Sequence, residues 1–256
     1  FIEMIPSVTI IDKDGNIIQA GTALGTAKNI TNATDILSLL MMQNGTKMVD
    51  ENNRAIFNTS PQNQENIIPG EQALLFYSDF ANPIKETYTW NDAMPQALDS
   101  FIQGKLAFYF GYSGDLSQIQ SQAPKLNFAI APMLQIEKNS EINYADYWLE
   151  TVSKKTRYQN EAWDFILFIT QEEQAQSYLE KTKKPTALRL LIKKQMEDYD
   201  LSIFAKQVLT AQSWYRGNAG DSIKKIFGDL IDETLRGGTE IKILLNLTAE
   251  KINQTF

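Results

Sequence analysis

Ala23-Leu24-Gly25-Thr26-Ala27, a loop of small residues, leads after a few positions into Asp35-Ile36-Leu37-Ser38-Leu39-Leu40-Met41-Met42-Gln43-Asn44-Gly45. Ile36, Leu37, Leu40 and Met41 share one face at helical spacing and Gly45 supplies a C-terminal stop, so the pattern predicts a helix over 32–44. Just upstream, Val8-Thr9-Ile10-Ile11, then Asp12-Lys13-Asp14-Gly15-Asn16, then Ile17-Ile18 read as a strand, a turn and a returning strand. The Asp-Gly pair provides the positive φ that such a turn needs.

The rest of the chain continues the alternation. Residues 71–80 and 94–103 read as helices, the first stopped by Asn82-Pro83 and the second by Gly104. Leu106 to Phe110 form a short buried strand that runs into the turn Gly111-Tyr112-Ser113-Gly114. Asp115 can cap a short helix, and 127–131 is a further strand. Helices follow over 161–169 and 171–180, the second opened by a Thr170/Glu173 capping box. Residues 201–215, the segment from Asp221 to the stop at Gly237-Gly238, and 241–252 complete the helical set, with Ile223, Ile226, Phe227, Leu230 and Ile231 on one stripe. Short strands interleaved with helices make the chain α/β and helix-rich, without internal repeats.

Composition excludes several chemistries. The 256 residues include neither histidine nor cysteine, so imidazole bases, thiolate nucleophiles, disulfides and cysteine-ligated zinc are all ruled out. With 24 basic against 31 acidic side chains the net charge is −7, the wrong sign for a phosphate-binding surface, so no nucleic acid is expected as a partner. No stretch approaches the ~18 consecutive apolar residues that a membrane span requires. Gly21 to Gly25 has neither the spacing nor the lysine of a nucleotide loop, and no cofactor is implied. Asp12-x-Asp14-Gly15 lacks the glutamate of a calcium loop and reads as a hairpin turn. The pairs Glu172-Glu173 and Asp232-Glu233 lie on amphipathic helices and read as solvated faces.

Aromatic residues carry the remaining information. Trp90, Tyr112, Tyr147-Trp148 and Trp214-Tyr215 stand among polar neighbours at loop or helix ends, where a ring can cover the apolar face of a pyranose while its neighbours bond the hydroxyls. Each also fits ordinary packing. Trp163, within Ala162-Trp163-Asp164-Phe165, reads as core.

Five segments in order give the chain a family likeness: Ala23 to Gly45; Ala97 to Tyr112, with Gly104-Lys105-Leu106-Ala107 and Phe110-Gly111-Tyr112; Asn127-Phe128-Ala129-Ile130-Ala131-Pro132; Tyr147-Trp148 through Val152-Ser153-Lys154 to Ala162-Trp163; and Ser213-Trp214-Tyr215. With these the chain resembles the bacterial extracellular solute-binding proteins of the sugar type, the maltose-binding-protein-like receptors of ABC importers. The resemblance begins partway into the family's pattern. It implies a type II periplasmic-binding-protein C-terminal lobe, helix-rich around a short-stranded sheet, formed by 1–143 and 200–256. A segment at 150–195 would belong to an N-terminal lobe otherwise largely without counterpart here.

By the same resemblance, Ala23, Leu24 and Gly25 line the cleft, and Gly111 and Tyr112 carry a stacking aromatic. Trp214 and Tyr215 supply a second platform, Trp148 lies near the inter-lobe crossing, and Arg216 donates hydrogen bonds to hydroxyls or a carboxylate. The implied partners are a small solute, most simply a carbohydrate, and the permease subunits of the importer. The implied location is extracellular or periplasmic, with the membrane reached only through a lipid anchor not present in this chain. Two other classes stand beside this one: a two-carboxylate carbohydrate hydrolase, disfavoured by the missing histidines and by acid pairs that read as solvated helix faces, and an interaction module derived from such a receptor.

Overall fold

A computed structural model describes residues 1–61, 67–137, 140–215 and 219–255. After a 3-10 turn at Ile2–Met4, helix α1 (Ile5–Val8) leads into strand β1 (Ile10–Ile11), which pairs antiparallel with β2 (Ile17–Thr22). The turn between the strands closes as the sequence predicts: Gly15 has φ +85°, and the Asp12 carboxylate accepts the backbone N–H groups of Asp14 and Asn16. Helices α2 (Ala33–Gln43), α3 (Pro69–Asp79) and α4 (Ala97–Ile102) follow, then β3 (Leu106–Phe108), which lies parallel to β2 and completes a three-stranded sheet of order β1-β2-β3. Helix α5 (Asp115–Gln122) precedes β4 (Asn143–Tyr144). The helices α6 (Gln159–Ile169), α7 (Glu172–Thr182), α8 (Arg189–Gln195) and α9 (Ser202–Gln207) come next. Strand β5 (Ala211–Gln212) then pairs parallel with β4, and α10 (Gly220–Arg236) and α11 (Ile241–Asn253) end the chain.

Local chemistry sets the helix ends. At the end of α2, Gly45 adopts φ +79° and the N–H groups of Gly45 and Thr46 return to the carbonyls of Met42 and Met41. Gly104, with φ +71°, closes α4 by the same pair of bonds, from Gly104 to Phe101 and from Lys105 to Ser100. Both are left-handed caps that only glycine adopts without strain.

The core gathers where α2, α3, α10 and α11 pack together. Leu37, Met41, Phe57, Leu74, Tyr77, Phe80, Trp90, Phe227, Ile231, Leu245 and Ile252 are fully buried there. Asn29 ties this core to the loop after β2. Its side-chain oxygen accepts from Thr26 Oγ1 (2.6 Å) and Trp90 Nε1 (3.0 Å), and its amide donates to the carbonyls of Asn91 (2.9 Å) and Met94 (2.8 Å).

Five expectations change. The first strand is limited to Ile10–Ile11, because Val8 closes α1. Residues 127–131 form no strand. The segment 201–215 is not one helix: α9 tightens into a 3-10 turn at Val208–Thr210 and then extends into β5. Thr170 does not open α7; its hydroxyl donates back to the carbonyls of Ile166 and Leu167 and so closes α6. Trp163 is not core. Helices α6 and α7 bury no residue, and Trp163, Phe165, Leu167 and Phe168 are 51–62% exposed. An amphipathic period requires a partner for the apolar face but does not say that the partner lies in the same chain.

Replacing Asn29 by alanine leaves the Trp90 indole N–H and the Thr26 hydroxyl, both buried, without their acceptor. At about 1–3 kcal/mol for each unmet buried group, Asn29→Ala lowers unfolding stability by about 3 kcal/mol or more, read as a fall in the urea midpoint at unchanged slope.

Candidate functional site

Tyr112 sits on the turn that leaves β3, and three features fix it. Asp115, the first residue of α5, accepts the Tyr112 backbone N–H at 3.1 Å and the Tyr109 hydroxyl at 2.9 Å through one oxygen, Oδ2. Gly111 makes room for this arrangement, because a Cβ there would overlap the Tyr109 ring and that same carboxylate oxygen. At the far end of the side chain, the Tyr112 hydroxyl donates to Asp35 Oδ2 at 2.9 Å.

Asp35 lies in the first turn of α2 and is 7% exposed. Tyr144 of β4 lies near the same carboxyl. Burial pushes the Asp35 carboxyl above the ordinary carboxylate value, opposed by the bond from Tyr112 and by the charge of Lys224. Burial and then the neighbouring Asp35 charge raise both the Tyr112 and the Tyr144 phenols. Both hydroxyls therefore stay protonated, and the carboxyl accepts the one from Tyr112.

One turn along the same face of α2, Ser38 Oγ accepts the Trp214 indole N–H at 3.1 Å. Pairing of β4 with β5 brings Trp214 there: Asn143 is opposite Ala211, Tyr144 is opposite Gln212, and the Asn143 amide donates to Thr210 Oγ1 at 2.8 Å. Tyr112 and Trp214 thus converge on one helix face, although they stand 102 positions apart in the chain. Their exposures differ. Tyr112 is part-buried, whereas Trp214 is 5% exposed and is packed among Phe57, Tyr215 and Phe227, with ring centroids 6.4, 5.8 and 5.5 Å away. Trp214 supports the wall from behind instead of presenting a free face.

The remaining predicted positions fall as follows. Ala23, Leu24 and Gly25 are buried, and Gly25, at φ +103°, lies against Ala81 so closely that a Cβ would collide with it. The Tyr77 hydroxyl seals the same loop by donating to the Thr26 carbonyl at 2.8 Å. The Tyr215 hydroxyl meets Thr255 Oγ1 at 2.9 Å and accepts the Ala219 N–H. Trp148 is 92% exposed. Trp90 is fully buried on Asn29. Arg216 lies outside the described residues. Two surface hollows, one lined by Glu172, Glu173, Gln176, Ser177 and Glu180 and the other by Asn52, Asn53, Arg54 and Asn253, include none of these positions. Among the described residues no group of three or more acidic side chains is arranged to hold a metal ion, and no helix is long and apolar enough to cross a membrane.

Sequence reading missed Asp35, Ser38 and Tyr144. A signal was present for the first: Asp35 falls at helical spacing with Leu39 and Met42, both buried, so it places a carboxylate on a buried stripe.

No curated protein sequence matches the chain. Among solved structures, the maltose/maltodextrin-binding domain from Bdellovibrio bacteriovorus bound to maltotriose superposes with a TM-score of 0.68 at 14% identity, over 99% of this chain and 64% of that one. An ABC transporter solute-binding protein from Thermotoga lettingae bound with α-D-tagatose gives 0.66 at 15% identity, over 93% and 59%. One from Agrobacterium radiobacter in complex with ribitol gives 0.58 at 18%, over 100% and 63%. The chain therefore shares the fold of these receptors and spans about three-fifths of their length. The family model described as bacterial extracellular solute-binding protein matches residues 14–189, more than half of the chain. The chain belongs to the bacterial extracellular solute-binding proteins.

Proposed function

We propose that this chain is the greater part of an importer's receptor for a sugar or similar polyol, not an enzyme, and that Tyr112 is its principal stacking platform. The observation that carries the reading is the double anchoring of Tyr112. The turn is fixed by Asp115, the hydroxyl is fixed by Asp35, and the part-buried ring lies between them. A ring held in this way meets the apolar face of a sugar without first having to be ordered, and polar groups beside it meet the hydroxyls. Gly111 shapes the turn, and Trp214 and Tyr215 brace the wall. Ala23 to Gly25 offer backbone more readily than side chains. Arg216 remains a candidate donor and Trp148 a candidate contact near the crossing. Maltotriose, tagatose and ribitol in the structurally similar receptors support a polyhydroxylated solute here.

In this reading residues 1–143 and 200–256 form the C-terminal lobe, and 150–195 packs on an N-terminal lobe. Solute contacts from both lobes favour a closed state that the permease subunits recognise. The exposed face of α6, with Trp163, Phe165, Leu167 and Phe168, supports the assignment of that segment, since apolar side chains so placed need a cover. The location is extracellular or periplasmic, with a lipid anchor in the full-length protein. The same exposed face also favours a second reading, an interaction module derived from such a receptor.

Titration calorimetry with maltotriose, tagatose and ribitol separates the two. Saturable binding is expected, and a folded chain that binds none of the three supports the interaction module. Stacking on an aromatic is worth about 1–3 kcal/mol by analogy with bases, so Tyr112→Ala, which also removes the hydroxyl donor from the Asp35 carboxyl and lowers the melting temperature, weakens the affinity of the folded chain about 5- to 150-fold; equal affinities for parent and variant overturn the platform. For the domain assignment, a hydrophobic dye binds the chain and loses most of its fluorescence on the folded Phe165→Ser/Phe168→Ser variant. A parent chain that binds no dye overturns the exposed face.

A further inference from the structure

We propose that Asp35 is a positioning residue for solute binding: its buried carboxyl, which accepts the Tyr112 hydroxyl, locks the Tyr112 ring in the orientation in which the solute meets it. The proposal rests on the solute-binding reading and goes beyond it, because Asp35 acts through Tyr112 and not on the solute.

The geometry leaves Tyr112 little freedom. The bond from its backbone N–H to Asp115 at 3.1 Å fixes where the side chain starts, so only its two side-chain torsions remain. The bond from its hydroxyl to Asp35 at 2.9 Å fixes where the side chain ends. The anchor itself is rigid, since Asp35 belongs to the first turn of α2, a helix whose Ile36, Leu37, Leu39, Met41 and Met42 are buried. A shorter apolar side chain would fill the site without the cost of a desolvated charge. What an apolar residue would not do is hold the Tyr112 phenol at a fixed position.

The charged and titratable groups facing Asp35 come from three directions. Tyr112 approaches from the turn after β3, Tyr144 and Asp146 from β4 and the residues after it, and Lys224 from α10. Lys224 pairs with Asp146 at 3.6 Å with both side chains about half exposed. The hydrogen bond to the Asp35 carboxyl thus comes from a neutral donor, the Tyr112 hydroxyl, which suits a fixed acceptor better than an ion pair whose partner reaches into solvent.

A double-mutant cycle read by calorimetry with maltotriose tests the proposal. Holding one rotamer-rich side chain in advance saves about the factor that a lost anchor would cost, so Tyr112→Phe and Asp35→Ala each weaken binding about 2- to 12-fold. The double variant binds no worse than either single one, because both remove the same bond. Asp35→Asn, which keeps an acceptor oxygen in place, recovers most of the affinity lost in Asp35→Ala, a rescue that simple loss of packing would not show. Additive losses, or full affinity in Tyr112→Phe, overturn the positioning role. Where Asp35→Ala does not fold, Tyr112→Phe and Asp35→Asn decide the question, since neither opens a cavity. A loss in Tyr112→Ala without a loss in Tyr112→Phe removes the positioning role and leaves the platform standing; no maltotriose binding by the folded parent chain removes both.

Discussion

Helix α2 has to satisfy two environments at once, and the architecture follows from how it does so. Leu37 and Met41 point into the core shared with α3, α10 and α11, and this burial gives the helix its stability. Asp35 and Ser38, three residues apart and therefore on one face, receive Tyr112 and Trp214 from segments that are remote in sequence. The turn after β3 and the β4-β5 ladder are thereby docked on a single rigid element. Without these two acceptors the phenol and the indole N–H would be buried without partners, which is costly enough to reposition both segments.

Packing is distributed unevenly along the chain. The α2, α3, α10 and α11 group is closed on itself, with Tyr77, Phe80, Trp90 and Phe227 fully buried. Helices α6 and α7 bury nothing, although α6 is as apolar as many core helices, and Tyr147, Trp148 and Leu149 ahead of it are likewise open to solvent. Contiguous exposed aromatic and aliphatic side chains of this kind mark an interface. Solved structures that share this fold are longer than this chain.

What was legible in the sequence was local. The Asp12-to-Asn16 turn, the glycine stops at Gly45 and Gly104, the amphipathic stripe of α10 and the short strand ahead of Tyr112 each depend on contacts within a few residues. What was not legible depends on distant partners. Trp90 stands among polar neighbours, which leaves both a ligand platform and ordinary packing open; Asn29, 61 positions away, gives its indole an acceptor and allows full burial. Trp214 is the same case at greater range, because Ser38 is 176 positions away. Trp163 failed in the opposite direction, since periodicity shows an apolar face and not what covers it. Segment 201–215 has helical spacing over its whole length, but pairing of Ala211 and Gln212 with β4 overrides that preference at the C-terminal end.

Asp35 shows how this site differs from the core it adjoins. Burial raises its folded pKa above the ordinary aspartate value of 3.8, so the folded chain holds the proton to higher pH than the unfolded chain does. Below 3.8 the carboxyl is neutral in both states and contributes no penalty. As pH rises through the window up to the folded value the unfolded chain ionises first, the native state is relatively disfavoured, and above that window the penalty is complete. This is opposite in sign to Asp198, whose pKa is lowered by Lys183 and by backbone N–H groups, and which supports folding at neutral pH. At neutral pH the Asp35 carboxyl therefore carries a desolvation penalty, set against the hydrogen bond by which it holds the Tyr112 hydroxyl in place.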